Sequence, residues 1–160
     1  METFAPVVAQ FQQNVIINPF EMKILEAIEG VFQKPYRCCP EVPLKRVCTK
    51  LSYLNRDTWN FWTTSSIDIV VMLPDGRAGL TIECQSSHHD SLDAKRRDNL
   101  KASILKESNI PLFYVRYAGI RDTYKFWSPF DKGFVYFNFS TNIGYKDMSK
   151  LLTKKCLSFC

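Results

Sequence analysis

Two apolar segments joined by a short turn constrain the fold of this chain more than any other feature. Residues 66–72 (SIDIVVM) and 78–85 (AGLTIECQ) are rich in β-branched residues. Asp75 and Gly76, between the two segments, favour a tight turn. The pattern predicts a β-hairpin.

The register of this hairpin brings two carboxylates together. A two-residue type I′ turn at Asp-Gly places Pro74 opposite Arg77, and therefore Asp68 opposite Glu83. Like charges directly opposite each other destabilise a strand pair, and both carboxylates lie among apolar neighbours. A divalent cation such as Mg²⁺ offsets this repulsion, and Gln85 adds an amide oxygen on the same face. The pattern also fits a hairpin with one solvated face, where both carboxylates meet water or pair with Arg or Lys.

A helix is predicted before the hairpin, and it carries an acid on its apolar side. Asn18, followed by Pro and then by Glu21, forms a capping signature, and the helix extends to about Phe32. Glu21 falls within the apolar arc of this helix, unlike its other two glutamates. Both a capping contact and a role in a site fit that position.

A second helix follows the hairpin and carries two cations on its core-facing side. It begins at Asp90 or Ser91 and extends to about Ser108. Arg97 and Lys101 lie one turn apart on its apolar stripe. For either residue alone, a simpler explanation is that its aliphatic side-chain carbons cover apolar surface while its charged group stays in water. Together they reach the carboxylates if the helix packs on that face of the hairpin.

The rest of the chain predicts one mixed α/β domain over residues 1–160, with a central mixed sheet flanked by helices. Its core spans about residues 18–117, and a strand and a helix are appended after it. The further predicted elements are an extended excursion over 34–48, a loop or short strand over 51–64, strands over 111–117 and 133–139, and a helix over 145–155.

Charge and cysteine usage limit the environment and partners of the chain. Its net charge of +5 favours polyanionic partners. The longest apolar run is far shorter than the roughly 18 residues of a membrane span. The amino-terminal segment lacks the basic start of a secretion signal, so the six cysteines indicate a reduced, cytoplasmic protein.

Three carboxylates, one amide and two cations are the groups that metal-assisted phosphodiester hydrolysis requires. Mg²⁺ or Mn²⁺ activates water, while Lys or Arg stabilises the charge that develops on the phosphate. The sequence therefore predicts a nuclease-type site formed by Asp68, Glu83, Gln85, Lys101 and Glu21, with Arg97 as the second cation.

The spacing of these residues resembles a known family of nucleases. Asp68, followed fifteen residues later by Glu83-Cys84-Gln85, is similar to the PD-(D/E)XK superfamily signature. The segments IECQSSHH, RRD with a Lys three residues after the Asp, and NIPLFYVR are more specifically similar to the DUF2726 type of domain. The resemblance covers about a third of the chain closely, from Ile67 to Arg116.

The resemblance implies a PD-(D/E)XK (restriction-endonuclease-like) core, with Asp68 and Glu83 as metal ligands and Glu21 as the helical acid. It assigns Arg97 to phosphate contact and brings His89 near the Ser-His position of the family, where it fits a phosphate or water contact. The sequence departs from the pattern at residue 85, where Gln replaces the usual Lys. Lys101 then supplies the cation.

Two functions fit this pattern. The first is a nuclease that requires Mg²⁺ or Mn²⁺ and acts on DNA, with RNA also compatible. The second is a nucleic-acid-binding or interaction module that keeps the fold but has weak or no activity, as the missing strand Lys suggests. A homo-oligomer or a larger complex is compatible with either function.

Overall fold

The structure is a computed structural model that describes residues 10–86 and 91–157, and these residues form six strands and five helices. The strands make one mixed sheet in the order β1-β2-β3-β4-β5-β6; β3 and β4 are parallel and every other neighbouring pair is antiparallel. In chain order the elements are α1 (Pro19–Val31), β1 (Arg37–Pro43), α2 (Leu44–Val47), α3 (Arg56–Thr64), β2 (Ser66–Met72), β3 (Ala78–Gln85), α4 (Leu92–Glu107), β4 (Leu112–Tyr117), β5 (Thr123–Trp127), β6 (Phe134–Asn138) and α5 (Tyr145–Leu157).

The mixed α/β fold, the hairpin strands and the helices at both ends are confirmed. Helix α1 begins with a complete capping box: the Asn18 side chain accepts from the Glu21 N–H, and the Glu21 carboxylate accepts from the Asn18 N–H. Helix α4 is capped by the Ser91 side chain and ends shortly before Asn109, which adopts a φ of 55°.

The predicted two-residue turn is wrong. The Gly76 N–H donates to the Leu73 carbonyl, and the Leu73 N–H donates to the Arg77 carbonyl, so the loop has three residues. The register shifts back by one residue near Gly79, between the pairs Val71–Leu80 and Met72–Ala78. Because the two changes cancel, β2 and β3 pair near the site in the predicted register.

Three other expectations need correction. Within the segment 51–64, predicted as a loop or short strand, residues Arg56–Thr64 form helix α3, which the Asn55 side chain caps by accepting from the Thr58 N–H. The segment 34–48 contains a paired strand and a short helix, β1 and α2. Strand β5 was not predicted, and it lies between β4 and β6.

Helices cover both faces of the sheet. Helices α1 and α5 pack over one large apolar cluster, in which Met148, Leu152 and Cys156 of α5 are fully buried. Helix α4 packs on the opposite face through Leu105, against the smaller cluster that also receives α2 and α3. The carboxyl-terminal helix therefore shares the core of the preceding residues. Among the described residues, we find no helix with the length and apolar character needed to cross a membrane.

Candidate functional site

Asp68 lies at the centre of a group of charged side chains from four elements. Its Oδ2 accepts a hydrogen bond from the Cys84 N–H at 2.8 Å, which fixes the carboxylate between β2 and β3. The register of β2 and β3 brings Asp68 beside Glu83, as the sequence predicted. Lys101 of α4 reaches Glu83, so Glu83 lies on the face covered by α4.

Lys101 extends from α4 to the Glu83 carboxylate. Its Nζ lies 2.5 Å from Glu83 Oε1 and 2.9 Å from the Ser66 carbonyl oxygen. The two side chains are only 16% and 7% exposed, so this is a largely buried ion pair. Burial raises the pKa of Glu83 well above its usual range; the Lys101 charge opposes this shift, and Asp68 adds to it.

Glu41 is a site residue that the sequence analysis missed. The residues on either side of Glu41 in β1 pair with the residues on either side of Asp68 in β2, so the two carboxylates lie side by side. Glu41 adopts a φ of 51°, which is unusual for a residue other than Gly, and its carboxylate accepts from the Ser66 hydroxyl at 3.2 Å. The same register argument that was applied to the hairpin would have found Glu41 if β1 had been recognised.

Glu21, Glu41 and Asp68 form a carboxylate cluster, each contributing an oxygen atom, with these atoms all within 4.8 Å of one another. Partial burial is the main cause that raises the pKa of both Glu21 and Glu41, and the negative charge of Asp68 raises it further. The capping box holds Glu21 at the start of α1, so its capping contact and its place in the cluster coexist.

The donor set of the carboxylate cluster fits a hard divalent cation. Mg²⁺ and Mn²⁺ prefer carboxylate oxygens, and Mg²⁺ is commonly held by a few carboxylates while it keeps several waters. The three clustered acids lie next to an open cleft of about 320 Å³ that Glu21 and Asp68 line together with Lys101. Glu83 also lines the cleft, but its carboxylate is engaged by Lys101.

The other predicted site residues lie in different surroundings. Gln85 is buried and its Nε2 lies 3.3 Å from Asp98 Oδ2 on α4, so its amide group faces that helix. Arg97 is exposed and lines the cleft. His89 lies outside the described residues. The structure thus brings together Asp68, Glu83 and Lys101, together with Glu21 and Arg97 at the same cleft.

Comparisons with known proteins give one family. The model of the family described as "Protein of unknown function (DUF2726)" matches residues 13–130, which include α1, the hairpin, α4 and the first five strands. No curated protein and no solved structure matches the chain.

Proposed function

The chain belongs to the DUF2726 family, and we propose that it is a metal-dependent nuclease of the PD-(D/E)XK type that hydrolyses phosphodiester bonds in DNA. One observation carries this proposal: the carboxylate cluster and the Lys101–Glu83 pair meet at one cleft. The mixed α/β sheet with helices on both faces is compatible with the core of that superfamily.

The acids that would hold the metal are Asp68, Glu41 and Glu21. This set differs from the Asp68–Glu83 pair that the resemblance implies, because Lys101 neutralises Glu83 while the three clustered acids have no such cation within bonding distance among the described residues. A bound Mg²⁺ or Mn²⁺ lowers the pKa of coordinated water and stabilises negative charge on the phosphate.

Lys101 has two roles in this proposal. Its ammonium group compensates the buried Glu83 carboxylate, and it presents positive charge at the cleft wall, where a phosphate would lie. It reaches the strand from α4, which is consistent with Gln85 occupying the strand position at which the related nucleases carry Lys. Arg97, exposed one turn earlier on α4, is placed to contact a phosphate of the substrate.

A binding module without cleavage is the second candidate. It is favoured by Gln85, whose amide faces Asp98. A module of this kind binds nucleic acid equally well with and without a divalent metal, whereas the nuclease requires the metal for turnover.

The test is cleavage of plasmid and single-stranded DNA with Mg²⁺ or Mn²⁺, compared with EDTA, by the wild type and by Asp68→Asn, Glu41→Gln and Lys101→Met. Glu26→Gln is the matched control, because Glu26 is an exposed acid of α1 outside the cleft. We expect cleavage by the wild type and the control alone, and only with metal. Cleavage that survives in Asp68→Asn, or no cleavage of either DNA substrate by the folded wild type, contradicts the proposal.

A further inference from the structure

The face of the sheet that carries Glu83 continues beyond α4 into an exposed aromatic surface. Directly paired residues in a sheet place their side chains on the same face. Glu83 pairs with Tyr114, Tyr114 with Trp127, and Trp127 with Phe134, so these four side chains share a face from β3 to the edge strand β6. Three strand spacings of about 4.8 Å put this edge roughly 14 Å from Glu83.

Four side chains form this surface, which we call the aromatic platform: Lys125, Trp127, Phe134 and Tyr136. Phe134 and Tyr136 are 53% and 50% exposed, and their ring centroids lie 5.3 Å apart. On the opposite face of the same two strands, Phe137 is almost fully buried in the core. The two aromatic rings of β5 and β6 that are at least half exposed therefore lie on the face that carries Glu83.

Lys125 gives the platform a positive charge. Its Nζ lies 4.5 Å from the ring centroid of Phe134 and 5.4 Å from that of Trp127. Within residues 10–86 and 91–157, Lys125 has no carboxylate partner in an ion pair. The platform thus combines flat apolar rings with an uncompensated cation on a chain whose net charge is +5.

We propose that the aromatic platform binds an extended single strand of nucleic acid, with bases stacked on Phe134 and Tyr136 and a phosphate beside Lys125. Aromatic rings interleaved with cations are the means by which proteins hold single strands without reading their sequence. The bases of a duplex are stacked on one another and do not expose their faces to these rings. The proposal rests on the proposed function only in naming this strand as the substrate whose other end enters the cleft.

Binding is measured by fluorescence anisotropy in EDTA, with a labelled single strand of about 16 nucleotides and a duplex of equal length, and with both deoxyribose and ribose strands. The variants are Phe134→Leu and Tyr136→Leu, which keep apolar side chains while removing the rings, and Lys125→Gln. Tyr53→Ala is the matched control, because Tyr53 is an aromatic residue 93% exposed outside the platform.

We expect each ring removal to weaken single-strand binding by roughly 5- to 150-fold, for both sugars. A plot of log affinity against log salt concentration falls less steeply for Lys125→Gln, because the magnitude of its negative slope decreases by about 0.7 when one phosphate contact is lost. Tyr53→Ala leaves binding unchanged. Wild-type affinity in both leucine variants overturns the proposal, as does equal affinity for duplex and single strand. A change in oligomeric state of the leucine variants with unchanged oligonucleotide affinity also overturns it, because the platform is then an interface between copies.

Cleavage of the same single strands with Mn²⁺ separates this proposal from the proposed function. In one outcome, the leucine variants bind as tightly as the wild type and still cleave the strand with metal. That result refutes the proposed role of the aromatic platform in binding and does not contradict the nuclease. Loss of binding in these variants, together with no cleavage by the wild type, supports the platform and refutes the nuclease.

Discussion

We predict that Glu41→Gln makes the metal-free protein more stable at neutral pH. Glu41 and Asp68 hold two negative charges close together in the folded chain, and unfolding separates them. Glutamine keeps the length of the side chain and an oxygen that can still accept from the Ser66 hydroxyl, now 3.2 Å from the Glu41 carboxylate. The φ of 51° at this position is the same for both residues, so the substitution changes mainly the charge.

The magnitude follows from the spacing of the acids. Two unit charges 4.8 Å apart, the upper limit within the carboxylate cluster, repel by about 1 kcal/mol in bulk water and about 3.5 kcal/mol at an effective dielectric constant of about 20. Glu41 lies partly in solvent, so screening puts the gain near the lower value, at about 1 kcal/mol. For a domain of this size that corresponds to a rise of about 2–4 °C in Tm.

The pH dependence has a definite sign. The pKa of Glu41 is raised in the folded state, so the folded chain binds this proton more tightly than the unfolded chain does. The wild type therefore loses stability as the pH rises from 4.5 through the raised pKa, and the loss is complete at higher pH. Glu41→Gln lacks this loss, so its advantage is absent in acid and present at neutral pH.

Thermal unfolding in EDTA at acid and neutral pH, followed by addition of Mg²⁺ or Mn²⁺, measures these effects. At about 100 times the Kd, a metal that binds only the folded state stabilises the wild type by about 2.7 kcal/mol, and Glu41→Gln loses most of this gain. Glu26→Gln, outside the cleft, is the control and retains the gain. A Tm of Glu41→Gln equal to or below that of the wild type in neutral EDTA refutes the reasoning.

Two further predictions concern the buried ion pair and the glycines. Lys101→Met leaves the Glu83 carboxylate buried without its cation. We therefore expect the free energy of unfolding, measured in urea at neutral pH, to fall by about 3–5 kcal/mol, and the added substitution Glu83→Gln to restore part of it. A double variant that is no more stable than Lys101→Met contradicts this prediction. A Cβ at Gly144 would lie 1.8 Å from the Tyr136 carbonyl oxygen, whereas one at Gly76 meets nothing within 4 Å, and both glycines have positive φ. Urea unfolding should therefore give a loss of about 1 kcal/mol for Gly76→Ala and more than about 3 kcal/mol for Gly144→Ala; equal losses would show that the chain near residue 144 yields easily.

Local signals in the sequence were sufficient for several parts of the site. The capping signature at Asn18 predicted the start of α1, and the apolar arc of that helix predicted the inward position of Glu21. The apolar stripe of α4 predicted that Lys101 points toward the sheet, and in the structure it reaches Glu83. These predictions succeeded because each depends on the period of one element or on the contacts of one helix end.

Features that depend on non-local pairing were missed. Glu41 joins the carboxylate cluster only because β1 pairs with β2, and no feature of residues 34–48 alone specifies that partner. Strand β5 has five residues, and the sheet on both sides of it supplies its pairing. The aromatic residues of α3 resemble those of a strand, although Asn55 before them is a residue type that favours a helix N-cap, and it caps α3 in the structure.

In the hairpin, the predicted turn type is wrong, but the predicted pairing of β2 and β3 near the site is correct. A three-residue loop alone would move β3 by one residue relative to β2, so Glu83 would no longer lie opposite Asp68. The register shift near Gly79 removes this offset. At Gly79 a Cβ would lie 2.5 Å from Leu73 Cδ2 and 3.0 Å from Cys156 Sγ, so the chain can follow this path only with a glycine unless Leu73 moves. The position of the two carboxylates therefore depends on the register shift near Gly79, about 13 Å of strand away from Glu83.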